Sequence, residues 1–312
     1  MVYEYCDEIK NSGINRSFPT SCGTFFEMGL DATYTAIKEC NAILEEAGTI
    51  ELEKFRTNTI TEASASEIFK TVKAKIVEKA VEFWKKIKNV WAAIQKWFEE
   101  KLSKIKDKLL KRFETLELSS YKTSLEKMKP VDINLDLLKK ADGLVKDLKK
   151  QSSYITNENP YTFIAKNANL KGASKIDNNE KAKKAIDEVL GNAISFDYSK
   201  IVEKKSDIVK ALKDSVNSVN SDYREAKKAM DETIKEIKAT EDGDDGKASL
   251  SLKLQIGFAR QNLILYVQDK KKKEFMKLCS LVANVNLRCN SVTKESAAIT
   301  FNKDFVNEAF SW

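Results

Sequence analysis

Histidine is absent from the 312 residues. Its absence removes the imidazole on which Ser-His-Asp and Cys-His nucleophiles depend, and with it the commonest nitrogen ligand for zinc and iron. Proline occurs three times and glycine ten times. Sheet-rich folds need turn residues at short intervals, so a chain this poor in them is expected to form long helices with few connections. No run of about 18 apolar residues occurs, which predicts no membrane-spanning helix. The opening MVYEYCDEIK carries acidic residues and no apolar stretch, so no signal peptide is expected.

Other site chemistries are missing as well. The five cysteines, Cys6, Cys22, Cys40, Cys279 and Cys289, are odd in number, form no CxxC and follow no zinc-ligand spacing. They read as reduced thiols used as small hydrophobes, in a chain made in a reducing cytoplasm. No GxxxxGK[ST], GxGxxG, HExxH or GxSxG is present, so no catalytic residue, cofactor or metal ligand is nominated. The acidic 241–246, EDGDDG, lacks the ligand spacing and distal glutamate of a calcium loop and reads as a turn.

What the chain has in quantity is charge, unevenly spread. Hydrophobic residues make up 42% and charged residues 32%, enough to bury a core and inconsistent with a disordered polyelectrolyte. Residues 1–65 hold 5 Lys/Arg against 11 Asp/Glu, a net −6, whereas residues 66–113 hold 14 against 6, a net +8. An acidic N-terminal piece therefore precedes a strongly basic one. That asymmetry suits either an internal electrostatic match or a basic surface for an anionic partner.

Apolar spacing places the helices. Ile76, Phe83, Val90 and Trp97 recur every seven residues, and Val77, Trp84, Trp91, Phe98 and Ile105 follow one position round. Together they give an apolar stripe wider than a coiled-coil seam. Ser64 or Ser66 is expected to open this helix, and 66–116 is either one rod, about 75 Å long, or is broken near the sparsely apolar 99–104. Upstream, Asp31 is expected to cap a helix ending at Gly48, and 17–23 is a turn. Pro130 forces a break, after which Asp132 or Asn134 caps a helix to about 150. Residues 151–178 read as a long loop, 179–191 as a short helix ended by Gly191, and 197–240 as one long helix. Over 248–258 leucines alternate as in a strand, yet the long segment without a breaker is expected to be helix throughout. A short helix closes the chain at 302–311.

The expected fold is all-α: an elongated helical bundle with long amphipathic, coiled-coil-like helices. Four parts are expected. They are an acidic helical piece at 1–62 with a linker at 55–66, the long basic amphipathic helix at 63–118, a helix and loop at 119–178, and a C-terminal helical bundle at 179–312.

Three arrangements satisfy the tryptophan-lysine helix. It is a core helix with solvated lysines, or it lies on an anionic membrane surface, or it tracks nucleic-acid phosphates. Trp84, Trp91, Trp97 and Phe98 are expected to be packing anchors, and Lys85, Lys86, Lys88, Lys96, Lys104 and Lys108 the anionic-contact set. The run Lys270–Lys273 reads as a solvated helix face.

Ile60-Thr61-Glu62 followed by Ala63 is similar to the (Ile/Leu)-x-Glu sequence after which the head-maturation proteases of tailed bacteriophages cut. Ile43-Leu44-Glu45 fits the same pattern. With the acidic-then-basic layout over about residues 55–115, the chain resembles the internal head proteins, core or ejected, of those phages. The resemblance implies a non-enzymatic virion component, with an N-terminal propeptide removed and a lysine-rich helical product kept with the DNA. Cutting after Glu62 would leave a product of net +13, and before cutting the acidic piece would mask the basic face. Partners implied are other virion proteins, nucleic acid bound without sequence preference, and further copies of the chain. The alternative is a module that binds an anionic membrane surface or a partner helix.

Overall fold

Thr24 and Glu27 open the first described helix. The Glu27 N–H donates to Thr24 Oγ1 at 3.1 Å and the Thr24 N–H to Glu27 Oε2 at 2.6 Å. This reciprocal capping box opens helix α1, Phe25–Arg56, which runs through Asp31 and Gly48 without a break. The cap is thus Thr24 and not Asp31, because the T-x-x-E spacing satisfies two helix-end donors where Asp31 satisfies none. The computed structural model describes residues 24–56, 62–150, 158–241 and 246–290. The turn expected at 17–23, most of the 241–246 turn, the helix expected at 302–311, and Cys6 and Cys22 lie outside the described residues.

Helix α2, Glu62–Ile105, starts two residues before Ser64. The linker expected at 55–66 is therefore narrower, with only residues 57–61 between the two helices lying outside the described residues. No break occurs at 99–104. One π turn, Lys106–Leu110, follows instead and leads into α3, Lys111–Thr115. At roughly 100° per residue an unbroken α-helix would swing Leu110 toward solvent. The wide turn absorbs one residue, and Leu109, Leu110 and Phe113 are all buried.

A 3-10 turn, Leu118–Tyr121, and α4, Lys122–Leu125, lead to strand β1, Val131–Ile133. Helix α5, Leu137–Lys149, follows; Asp136 precedes it without a side-chain cap. Asn134 has another task, with its Nδ2 donating to the Leu190 and Gly191 carbonyls at 3.0 Å each. The long loop expected at 151–178 contains α6, Pro160–Asn167, and a 3-10 turn, Ala173–Lys175. Asn159 caps α6 by accepting from the Tyr161 and Thr162 N–H groups, and Pro160 takes the first helical position, where its missing N–H costs nothing. Helix α7, Asn179–Leu190, ends at Gly191, whose φ of 78° requires a residue without Cβ.

Strand β2, Ile194–Phe196, pairs antiparallel with β1, Val131 opposite Phe196 and Ile133 opposite Ile194. The helix expected over 197–240 is split at Lys204 into α8, Tyr198–Glu203, capped by Asp197, and α9, Lys205–Lys238. The last helix among the described residues, α10, Gly246–Asn290, is helical throughout as the missing breakers predicted.

The fold class is all-α, with one two-stranded ribbon among the described residues. Helix α10 is about 67 Å long at 1.5 Å per residue and packs against α1, α2, α5, α6, α7 and α9. Being covered on every side, it needs apolar residues on every side, which is why Leu250, Leu254, Ile256 and Phe258 alternate like a strand and are all buried. Two glycines permit the closest approaches. A Cβ at Gly29 would meet Leu265 Cδ1 at 2.4 Å, and one at Gly257 would meet Thr233 Cγ2 at 2.4 Å, so α1 and α9 can sit against α10. One contiguous core runs from Phe25 to Cys289.

Candidate anion-contact surface

The tryptophan stripe faces inward. Trp84 stacks on Tyr223 of α9 at 6.4 Å between ring centroids, and Trp91 meets the same ring at 5.8 Å. Trp97 and Phe98 both pack edge-on against Phe275 of α10, at 5.9 and 5.1 Å. All four anchors are buried, Trp91 and Phe98 fully. The rings they pack against belong to their own chain.

The six nominated lysines lie on the opposite side. Lys85, Lys86, Lys88, Lys96, Lys104 and Lys108 are all exposed. Lys96 faces Glu100 at 3.7 Å. Among the described residues, no carboxylate lies within ion-pair distance of the other five. Acidic α1 does not mask them. It runs back along α2 and pairs with its earlier turns, Glu46 with Lys75 at 3.7 Å and Glu39 with Lys79 at 3.2 Å. Lys79 also holds Glu82 at 2.8 Å. These bonds to Glu82 and Glu39 push the Lys79 ammonium above its usual range.

At the end of this face, α9 adds cations. Lys205, Lys210 and Lys213 line a shallow cleft of about 410 Å³ with Glu114 and Asp214. Lys205 Nζ donates to the Glu114 and Leu116 carbonyls at 2.7 and 2.8 Å, and Lys213 pairs with Glu114 at 2.5 Å. The cleft thus ties α9 to α3, and Lys210 and Lys213 are both exposed on its rim.

The nominated processing residues divide. Glu62 and Ala63 form the first turn of α2, and Ile60 lies outside the described residues. Helix α1, which a cut after Glu62 would separate in sequence, is part of the core through Phe25, Ala32, Ala36, Cys40 and Ala47.

The run Lys270–Lys273 is not the solvated face expected. Lys270 pairs with Asp187 at 2.8 Å and lies 4.9 Å from the Tyr266 ring centroid. Lys271 is fully buried between Asp142, Ser218 and Asp222. Lys272 sits over the Phe25 and Trp97 rings at 4.8 and 5.3 Å, and burial lowers its pKa. Only Lys273 of the four is exposed. Asp269 and Glu274 flank the run from inside. Asp269 accepts from the Phe25 and Phe26 N–H groups at 2.9 and 2.8 Å, and Glu274 from the Asn134 N–H at 2.5 Å. This polar belt through the core was not read from the sequence.

Among the described residues no group of His, Cys, Asp and Glu is placed to hold a metal, and no helix is long and apolar enough to cross a membrane. Burial raises the thiol pKa of Cys40 to about 12 and also raises that of Cys279, so both stay protonated and inert as nucleophiles. Comparison with known proteins finds no matching family model, no matching curated protein and no matching solved structure.

Proposed function

We propose that the chain is a non-enzymatic structural protein of a bacteriophage virion, internal to the head or associated with the capsid, whose exposed α2 lysines contact nucleic acid without sequence preference. One observation carries the anion-contact part. The six lysines face solvent while the aromatic residues between them are sealed in the core. A surface of that kind offers cations and no apolar anchor. Phosphate backbone asks for nothing more, because counterion release supplies the binding free energy. The virion location and the other virion proteins as partners rest on the resemblance over residues 55–115.

The rival reading, a module for an anionic membrane surface or a partner helix, needs the tryptophan stripe to insert. That stripe is already occupied by Tyr223, Phe258 and Phe275. The place of α1 in the core also changes what processing would do. A cut after Glu62 would leave α1 held by Asp269, Glu39–Lys79 and the buried face around Cys40, so the expected product is a nicked bundle.

Titration of the full chain with duplex DNA tests the proposal. With about six phosphate contacts, affinity is expected to fall about a thousandfold between about 50 and about 200 mM salt, with equal affinity for unrelated sequences. Salt-independent binding, or binding to anionic vesicles with a tryptophan blue shift and none to DNA, would overturn it.

A further inference from the structure

Two fully buried charged side chains, Lys271 and Asp222, meet in the core, and three acceptors converge on Lys271 Nζ. Asp142 Oδ1 of α5 and Ser218 Oγ of α9 each lie 2.5 Å away, and Asp222 Oδ2 of α9 is closer still. Those three acceptors use all three N–H bonds of the ammonium. Ser218 also donates to Asp142 at 2.6 Å, and Gln268 Nε2 donates to Asp222 Oδ2 at 2.8 Å. Two carboxylates therefore share one cation, leaving one negative charge in excess in a cluster whose Asp222 end is closed to water. The side chains of Lys271 and Asp222 are 0% and 2% exposed, that of Asp142 35%.

An unmatched charge in a dry site takes up a proton more readily than it would in water. Of the two carboxylates, the buried Asp222 bears the greater desolvation cost, and Asp142 connects the cluster to solvent. The charged groups acting on Asp222 are Lys271 from α10 and Asp142 from α5. One turn along α9, Glu225 is engaged by Lys149 at 2.8 Å and Lys228 at 3.1 Å. Gln268 suits either protonation state. Its amide donates to the carboxylate as observed, and its Oε1, buried without a hydrogen-bond partner, is an acceptor that a carboxylic acid can use once the amide turns over.

We propose that the Lys271–Asp222–Asp142 cluster is a proton-operated clamp: uptake of one solvent proton by Asp222 in mildly acidic solution tightens the joint between α5, α9 and α10. Burial raises the Asp222 carboxyl to about 6, with Lys271 opposing and Asp142 adding to the shift. A folded-state value above the unfolded one gives stability that is present in acid and lost as pH rises through about 6. Exposed carboxylates held low, such as Asp177 by Lys181 and Glu203 by Lys200, act the other way, near and below the ordinary carboxylate range.

The test is denaturant unfolding of the full chain between about pH 7.5 and about pH 5, where the folding constant is expected to rise roughly tenfold. In Asp222→Asn the rise is expected to vanish. A wild type with no rise, or an Asp222→Asn variant that keeps it, overturns the clamp. Should Asp222→Asn fail to fold, Asp142→Asn decides. Removing the second negative charge moves the rise to lower pH if the carboxylates share the site, and an unmoved rise overturns the proposal.

Discussion

The lysines of α2 and the lysines of α10 are the same residue in opposite circumstances. On α2, Lys85, Lys86 and Lys88 follow one another along a helix that is covered on one side only, and all three reach water. On α10, Lys270, Lys271 and Lys272 follow one another along a helix covered on every side, and each meets a different neighbour: a carboxylate, a two-carboxylate cluster, a pair of aromatic rings. A run of lysine is solvated or structural according to how many faces of its helix are occupied. In water an ammonium contributes little to stability; in the core it must be matched, and its loss strands its partners.

The largest effect should come from breaking the α10 side of this comparison. Lys271→Met leaves Asp142 and Asp222 facing one another without a cation, and the expected loss is about 3–5 kcal/mol of unfolding free energy. Adding Asp222→Leu should recover part of that loss, since an apolar replacement of both partners removes the stranded charge. Equilibrium denaturation of the two variants reads this directly. A Lys271→Met chain as stable as wild type would mean that Lys271 does not hold the two carboxylates as the geometry describes.

A smaller effect is expected at Asp269, which reaches from α10 to close the N-terminus of α1. Asp269→Ala strands the Phe25 and Phe26 N–H groups in a buried place, at a cost of about 1–3 kcal/mol. The loss should be local. Amide exchange in the first turns of α1 should quicken while that of α9 stays slow. Uniform quickening would show that α1 and α10 unfold together and that the cap is not a separable latch.

The all-α class and the apolar stripe of α2 were legible because they rest on periodicity, which a sequence displays openly. Trp84, Trp91, Trp97 and Phe98 share one face of one helix, and no tertiary fact is needed to see it. The helix over 248–288 was legible from its lack of breakers, although its alternating leucines argued for a strand; alternation arises in any helix wrapped all round.

The polar belt was hidden for a different reason. Along α9 the apolar seam can be drawn through Val216, Tyr223 and Ile234 or, one position over, through Ser215, Asp222 and Thr233. The second set is the buried one, Ser215 and Asp222 at 1% exposure and Thr233 at 0%. Polar residues at core spacing were the available signal, and a search for apolar residues passes over them. The π turn at Lys106–Leu110 was hidden because Leu109-Leu110 fits an amphipathic stripe only after the phase has slipped. The missed α6 follows from its length. Eight residues give too little period to read, and only the Asn159-Pro160 pair marked its start.

The smallest effect on stability, and the sharpest test of the α2 side, is the triple change Lys85→Gln, Lys86→Gln and Lys88→Gln. These side chains are exposed and form no ion pair among the described residues, so the unfolding midpoint should hardly move. Binding to duplex DNA should weaken, and the slope of log affinity against log salt should flatten by roughly three, about one for each phosphate contact removed. The two readouts together keep the comparison honest. A stability loss like that of Lys271→Met would place these lysines in the structure of the bundle, and an unchanged salt slope would take them out of the binding surface. Only unchanged stability with a flattened slope leaves α2 as the face the molecule turns to its partner and α10 as the rod that holds it together.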